Sequence, residues 1–438
     1  MRLPIPSGLA FGLYWLLMNV LLPLVMLLAA PLLLLKGKRR RTLLPRLGFQ
    51  RYPEFASGTP APVWVHALSV GELLSAVSLI QRLRAELGGR PLVVSVSTHA
   101  ARGLAESRLA GNSDGLIYFP FDLAYAYRRC FARIRPALFV LIETDIWPGY
   151  LAFFRQRGVP CLLLNGRLSP RSFRRLQRWW CLFGPALRTF ARIFAQSPLE
   201  AERFAALGVE RERLGVPGNL KFDACGPRPR GEEIVALRAE LGYRTADRIF
   251  LAGSTHRGEE VVLRRVFLKL REEFADLKLI SVPRHPERSA EVRSLFASDT
   301  LRTALLTERI TPAPDVLVVN RLGYLNRLYS LATVAFVGGS LVPKGGQNPI
   351  EPAMAGKPVL FGPDMDDFAD VAPALVEGGG AFQIRGEEEL IAKCRRLLQA
   401  PQLVNDIGAR ARAVVESHAG ITARLVAEIM ERVRRASA

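Results

Sequence analysis

The chain has 438 residues and carries 60 Lys+Arg against 40 Asp+Glu, a formal net charge of +20. That length exceeds one ordinary hydrophobic core and predicts two globular domains. The charge points to an anionic partner: nucleic acid, an anionic membrane surface or an acidic substrate.

From Leu9 to Leu35 the chain is almost wholly apolar, long enough to cross a bilayer as a helix. Pro23 and Pro31 can kink or end it, so an in-plane hairpin or a tilted monotopic anchor stays open. A cleaved signal peptide fits poorly: the first residues carry little charge and the apolar run is too long. Lys36, Lys38, Arg39, Arg40 and Arg41 follow it, which by the positive-inside rule keeps the rest of the chain in the cytoplasm.

Residues 61–200 alternate short apolar runs with helical patterns. Strands are expected at Val63–Ala67, Leu92–Ser97, Gly115–Phe119, Ala137–Ile142, Val159–Leu164 and Ile193–Ala195. Strands alternating with helices predict an α/β domain with a mostly parallel sheet. Ligands of such sheets bind beyond the carboxyl ends of the strands. Glu72, Glu143, Asn165, Arg167 and Ser197 fall at such ends. Between Arg171 and Phe183, aromatic and apolar residues interleave with arginines. This predicts either an interfacial membrane helix or a half-buried helix with a basic outer face. Gly215–Gly231 is rich in Gly and Pro and marks a linker.

The second half repeats the alternation, with strands at Ile249–Ala252, Leu277–Val282, Val316–Val319, Val334–Gly338 and Pro358–Phe361. The tail from Pro401 to Arg435 is helical and basic. The domain boundaries expected are an anchor over 1–35, a first domain over 36–215, a linker over 216–231, a second domain over 232–400 and a helical segment over 401–438.

The chemistry concentrates at strand ends. Glu72 follows Gly71 at a strand-to-helix turn, where the helix dipole favours an ionised carboxylate. Glu143 ends another strand, with Asp145 and Trp147 beside it. Ser254 and Thr255 follow Gly253 in a phosphate-type turn. Arg284, His285 and Lys221 are cations able to neutralise a leaving phosphate. The Gly-rich stretch from Gly338 to Gly346, followed by Asn348 and Glu351, is expected to cradle the phosphate side of a nucleotide. A cleft between the two domains would bring these groups together. No Walker motif and no G-x-G-x-x-G opening a βαβ unit is present, which disfavours an NTPase or a dinucleotide enzyme. Five scattered cysteines without a C-x-x-C pair, and five histidines without H-E-x-x-H spacing, argue against a disulfide framework or a metal site.

Seven motifs then stand in order: His66-Ala67-Leu68-Ser69-Val70-Gly71-Glu72, Glu143-Thr144-Asp145-Ile146-Trp147-Pro148, Asn165-Gly166-Arg167-Leu168-Ser169, Gly218-Asn219-Leu220-Lys221-Phe222-Asp223, Gly253-Ser254-Thr255-His256, Pro283-Arg284-His285-Pro286, and Gly345-Gly346-Gln347-Asn348-Pro349-Ile350-Glu351-Pro352. As a set, over nearly the whole chain, they resemble the Kdo (3-deoxy-D-manno-octulosonic acid) transferases of lipopolysaccharide biosynthesis. The resemblance implies an α/β GT-B architecture of two Rossmann-like domains facing across a cleft, with an N-terminal membrane-anchoring helix. It implies inverting transfer of Kdo from CMP-Kdo to a lipid A precursor at the cytoplasmic face of the inner membrane, with no metal and no other cofactor. Glu72 would be the general base. Ser69, Gly71, Glu143, Arg167 and Lys221 would contact the substrates. Ser254, Arg284, His285, Asn348 and Glu351 would hold the CMP-Kdo donor. Two stretches depart from the pattern: Tyr324 stands where the family usually has a glutamate, and Asp145-Ile146-Trp147-Pro148-Gly149 stands where it often has Glu-Leu-Trp-Pro-Asn. Partners expected are CMP-Kdo, the lipid acceptor and inner-membrane lipids, not nucleic acid. The rival readings are a GT-B enzyme using a UDP-sugar and a membrane-anchored nucleic-acid-binding protein.

Overall fold

The computed structural model describes residues 7–28, 37–224, 230–298, 300–308 and 313–435. Lys36, Pro31 and the linker residues Gly226, Pro227 and Pro229 lie outside them. Two compact units result: Met1–Ala224 with Gly420–Ala438, and Cys225–Ala419.

The first unit is built on seven parallel strands, β1 (Val63–His66), β2 (Leu92–Val96), β3 (Gly115–Tyr118), β4 (Leu138–Ile142), β5 (Cys161–Gly166), β6 (Phe190–Ala195) and β7 (Leu214–Gly215). Their order is β3-β2-β1-β4-β5-β6-β7. Val63 pairs with Leu92 on one side and Leu138 on the other. β1, β2 and β4 are buried along their whole length. A strand covered by helices on both faces is apolar without alternation, which is why these segments are apolar runs interrupted only by Ser95 and His66. Trp64 sits at the centre of the core, with its ring 5.3 Å from Phe139 and 5.5 Å from Phe119, and its indole N–H donates to Ser95 Oγ at 2.8 Å.

The apolar N-terminal segment is helical through Leu28, with a widened π turn at Leu17–Leu21. Pro23 has no N–H to close the ordinary bond to residue 19, and the widened turn accommodates its ring. Gly8–Val25 is long and apolar enough to cross a membrane. Phe11, Tyr14 and Met18, spaced three and four residues apart, are half-buried, while Leu9, Leu13, Leu17 and Leu24 are exposed. One face of the helix thus packs on the unit and the other stays apolar and uncovered.

The arginine-rich stretch near residue 175 is two helices, Pro170–Arg178 and Trp180–Leu187, broken at Trp179. Leu176 is buried, and Phe173, Trp180 and Phe183 pack against the core. The Trp180 indole donates to the Leu207 carbonyl at 2.9 Å. Only Trp179 among these aromatics is exposed. The half-buried helix reading therefore holds here, and the aromatic residues serve the core.

The second unit repeats the design with β8 (Arg248–Thr255), β9 (Leu277–Pro283), β10 (Thr303–Leu305), β11 (Val316–Val318), β12 (Val334–Val337), β13 (Val359–Phe361) and β14 (Ala381–Gln383). Their order is β10-β11-β9-β8-β12-β13-β14, again parallel throughout. The tail divides. Pro401–Ser417 belongs to the second unit, and Ile421–Arg435 belongs to the first. The last helix buries Ile421, Leu425, Ile429 and Val433, one turn apart each, and packs on the helix Val70–Glu86. The Asp223 carboxylate accepts from Gly420 N–H at 2.9 Å and Thr422 N–H at 2.5 Å, fixing where that helix begins.

Candidate active site

In each sheet the strand order reverses at one point: between β1 and β4, and between β8 and β12. Loops leaving neighbouring strands there diverge to opposite faces and leave a crevice at their carboxyl ends.

At the first point the helix Val70–Glu86 begins just after β1, capped by Ser69, whose Oγ accepts the Glu72 N–H at 3.4 Å. Glu72 therefore sits in the first turn and reaches back, its Oε2 accepting the Leu68 N–H at 2.5 Å. Its residue is only 9% exposed. Burial, then the charges of Glu143 and Asp145, push its pKa up to about 8, against the Leu68 and Ser69 N–H groups that hold it down. Beside it Gly71 faces open space, its nearest neighbour being Ser69 Oγ at 4.0 Å from where a Cβ would stand.

The loop after β4 brings two more carboxylates. Glu143 has φ of 61°, in the left-handed region that few non-glycine residues occupy. Asp145 accepts from the Trp147 indole at 2.6 Å and faces His66 Nε2 at 3.2 Å, and its carbonyl accepts the Tyr150 hydroxyl at 2.6 Å. His66 is wholly buried, stacked on Phe119 at 3.9 Å, with Nδ1 3.0 Å from the Ser95 carbonyl. Nδ1 is also 3.0 Å from the Ser95 hydroxyl, so Ser95 and Asp145 together fix the orientation of the ring. Sequence reasoning missed His66 as a partner of this cluster. Its signal was a polar residue ending an otherwise apolar strand.

At the end of β5, Asn165 is buried with φ of 56°. Its Oδ1 accepts the Leu220 N–H at 2.9 Å, its carbonyl accepts from Gln196 at 3.0 Å, and Gln196 Oε1 accepts from Asn219 at 3.2 Å. This buried amide network ties the short turn Leu220–Asp223, and with it Lys221, to the strand ends of the first unit. Arg167 also stands there, its carbonyl accepting the Thr144 hydroxyl at 2.6 Å.

The second switch point corrects one expectation. The N–H groups of Gly339, Ser340 and Leu341 all point to the buried carboxylate of Glu259, at 2.8, 3.0 and 3.0 Å, and His256 N–H joins them at 2.8 Å. The glycine turn after β12 does cradle an anion, but that anion is a side chain of the same unit. Gly338 is required for close approach, since a Cβ there would fall 2.4 Å from the Ser254 carbonyl oxygen.

The remaining residues gather around His256. Ser254, one residue before the end of β8, has φ of 54°. The His285 ring lies 6.0 Å from that of His256, edge-on. Burial lowers the His256 pKa, and His285, Arg284, Lys344 and Arg288 lower it further. Gln347 Nε2 stands 3.5 Å from His256 Nε2. Next to it Asn348 Oδ1 accepts the Ile350 N–H at 3.0 Å and its Nδ2 donates to Glu351 Oε1 at 3.1 Å. Burial raises the pKa of Glu351, and the Asn348 bond holds it down. Lys344 and His256 join Arg284 and His285 in the basic cluster, whereas Lys221, the third cation expected from the sequence, belongs to the first unit.

Two doubly wound parallel-sheet units, one with a buried carboxylate cluster and one with a basic cluster at its switch point, have the architecture of the GT-B class. The same architecture is seen in a glycosyltransferase from Rickettsia africae, with a TM-score of 0.57 at 13% identity over 86% of this chain and 99% of that one. It is also seen in the UDP-GlcNAc 2-epimerase from Neisseria meningitidis, with a TM-score of 0.58 at 12% identity over 85% and 100%. Residues 41–224 match the family model described as 3-deoxy-D-manno-octulosonic-acid transferase (kdotransferase). The 3-deoxy-D-manno-octulosonic acid transferase of Bordetella pertussis is 32% identical over 379 residues, 83% of this chain and 86% of the relative. That of Haemophilus influenzae is 28% identical over 408 residues, 92% and 94%. The chain belongs to the Kdo transferase family.

Proposed function

We propose that this enzyme moves Kdo from CMP-Kdo to a lipid A precursor of the lipid IVA type, with inversion, and that Glu72 is the general base. The observation that carries the reading is Glu72 itself: a nearly buried carboxylate at the β1/β4 switch point, pushed up to about 8 by burial and two carboxylate neighbours. A base near the working pH combines an adequate ionised fraction with a strong pull on a proton. The Glu72 carboxylate takes the proton of the acceptor hydroxyl as its oxygen bonds to the anomeric carbon of Kdo. The bond from that carbon to the CMP phosphate oxygen breaks, and CMP leaves with the electron pair.

Ser69 holds the turn that carries Glu72. Gly71 leaves room for the acceptor, with Glu143, Arg167 and Lys221 as further substrate contacts. In the second unit Ser254, Arg284 and His285 meet the phosphate or the Kdo carboxylate, and Asn348 and Glu351 hold the nucleotide. Cations fixed before the reaction stabilise the leaving phosphate without reorganisation. The apolar segment followed by Lys36, Lys38 and Arg39–Arg41 supports attachment to the inner membrane with both units in the cytoplasm.

The test is transfer by the purified enzyme with a tetra-acylated lipid A precursor and either CMP-Kdo or UDP-sugars. Product from CMP-Kdo, reduced at least about a hundredfold in Glu72→Gln, supports the reading. Product from a UDP-sugar alone refutes the donor, and near-normal turnover in the variant assigns the base elsewhere.

A further inference from the structure

We propose that the first unit binds an anionic phospholipid, with an acyl chain in a groove beneath the N-terminal helix and the phosphate among Arg128, Arg135 and Arg157. The groove has a volume of about 540 Å³. Phe11 of the N-terminal helix forms one wall, Ala152 of the helix Pro148–Gln156 another, and Leu182, Pro185 and Ala186 of the helix Trp180–Leu187 a third. The volume and the apolar lining suit a flexible hydrocarbon chain. Leu9 and Leu13 are exposed on the opposite face of the same helix.

Gln156 lines this groove and also a second cavity of about 650 Å³. Arg128, Arg135 and Arg157 line the second cavity, and among the described residues no acidic one does. The Arg157 guanidinium lies over the rings of Phe153 and Phe131, at 5.1 and 5.7 Å from their centroids, so its position is set before any ligand arrives. The surrounding sequence has one sign of charge. Between Leu123 and Ile142 there are four arginines and no Asp or Glu, and between Ile146 and Leu199 nine arginines and again none. An apolar slot that shares Gln156 with an arginine-lined cavity suits an amphiphile with an apolar chain and an anionic head.

The arginine cavity is separate from the carboxylate cluster. Pro148–Gln156 has nine residues and spans about 13 Å. Its first residue follows the loop that carries Glu143 and Asp145, whereas Arg157 follows its last, toward the amino end of β5. The phosphate therefore sits a helix length from the carboxylate cluster and leaves Glu72 free. A lipid held there would fix the depth of the unit at the membrane surface.

The test uses full-length enzyme in detergent and phosphatidylglycerol carrying a photoactivatable acyl chain, with adducts mapped by peptide mass spectrometry. Adducts are expected within residues 148–156 and 180–189. The double variant Arg128→Gln, Arg157→Gln should lower them about tenfold or more. Ala152→Trp, which fills the groove, should abolish them. The arginine variant changes exposed side chains, so it remains informative if Ala152→Trp misfolds. Equal labelling by the phosphatidylcholine analogue, adducts confined to other peptides, undiminished labelling in the double variant, or displacement by inorganic phosphate as effective as by unlabelled phosphatidylglycerol would each overturn the proposal.

Discussion

Tyr14, on the apolar N-terminal helix, donates its hydroxyl to the buried carboxylate of Asp122 at 2.5 Å. Asp122 also accepts the N–H groups of Gly149 and Tyr150, at 2.8 and 2.6 Å, and so caps the helix Pro148–Gln156, whose own Trp147 offers no side-chain cap. Gly149 has to be glycine, because a Cβ there would lie 2.6 Å from Asp122. Five residues on, Asn19 Oδ1 accepts the Ala124 N–H at 2.5 Å and supplies the cap that Leu123 lacks. The apolar helix therefore completes the fold of the first unit as well as offering an exposed apolar face.

Tyr14→Phe should lower stability by about 1–3 kcal/mol, the cost of leaving a buried charged acceptor short of a donor. Thermal unfolding in detergent reads this as a fall in the transition of the first unit. Removing residues 1–35 should lower the same transition further, in addition to releasing protein from membranes. An unchanged transition in both would make the helix a passive tether.

The raised pKa of Glu72 sets the pH dependence. Transfer needs the ionised form, so kcat/KM should rise with pH through about 8 and then level off. The Glu143 charge disfavours ionisation of Glu72, so Glu143→Gln should move the rise to lower pH. A pH–rate profile of the two proteins checks the sign. An upward shift in the variant would show that Glu143 does not act on Glu72 through its charge.

The same shift has a consequence for stability. An ordinary glutamate titrates near 4.5, and Glu72 in the folded chain near 8. Between these values the folded state keeps a proton that the unfolded state has lost, so stability falls as pH rises through that window. Glu72→Gln removes this effect. It should melt higher than the wild type at pH 9, with the advantage shrinking as pH drops toward 4.5. Denaturation curves at the two ends of the window measure it.

Glu259 satisfies four backbone N–H groups and joins the turn after β8 to the turn after β12. Glu259→Ala leaves those donors buried and should destabilise the second unit by at least about 3 kcal/mol. It should also weaken CMP competition, because His256 and Gly339 lose their common anchor. Differential scanning calorimetry and CMP competition together test this. Full stability in the variant would mean that water replaces the carboxylate.

His256 is held below its ordinary pKa by burial and by four basic neighbours. A phosphate bound among these groups would reverse that and raise it. CMP binding should therefore take up a proton, and affinity should decline as pH rises. Calorimetry in buffers of different ionisation enthalpy gives the proton count directly. No uptake would place the phosphate away from His256.

Much of the site was legible because strand ends are a local property. Apolar runs of four to six residues, each stopped by Gly, Ser, Asn or a charge, locate the carboxyl edge of a parallel sheet without any knowledge of packing. Glu72, Glu143, Asn165 and Ser254 were found in this way. Partners far apart in the chain were not legible. Nothing near residue 338 announces that its glycine turn already encloses Glu259, 80 residues earlier.

The sequence by itself determined the two α/β units, the apolar N-terminal helix and the residues standing at the crevice edges, since each follows from short-range periodicity and turn chemistry. Only the tertiary structure decided which buried polar groups meet: Tyr14 with Asp122, His66 with Asp145, Glu259 with the glycine turn, and the last helix with the first unit. A buried donor or acceptor must find a partner wherever the packed chain brings one, and that search runs through space, not along the sequence.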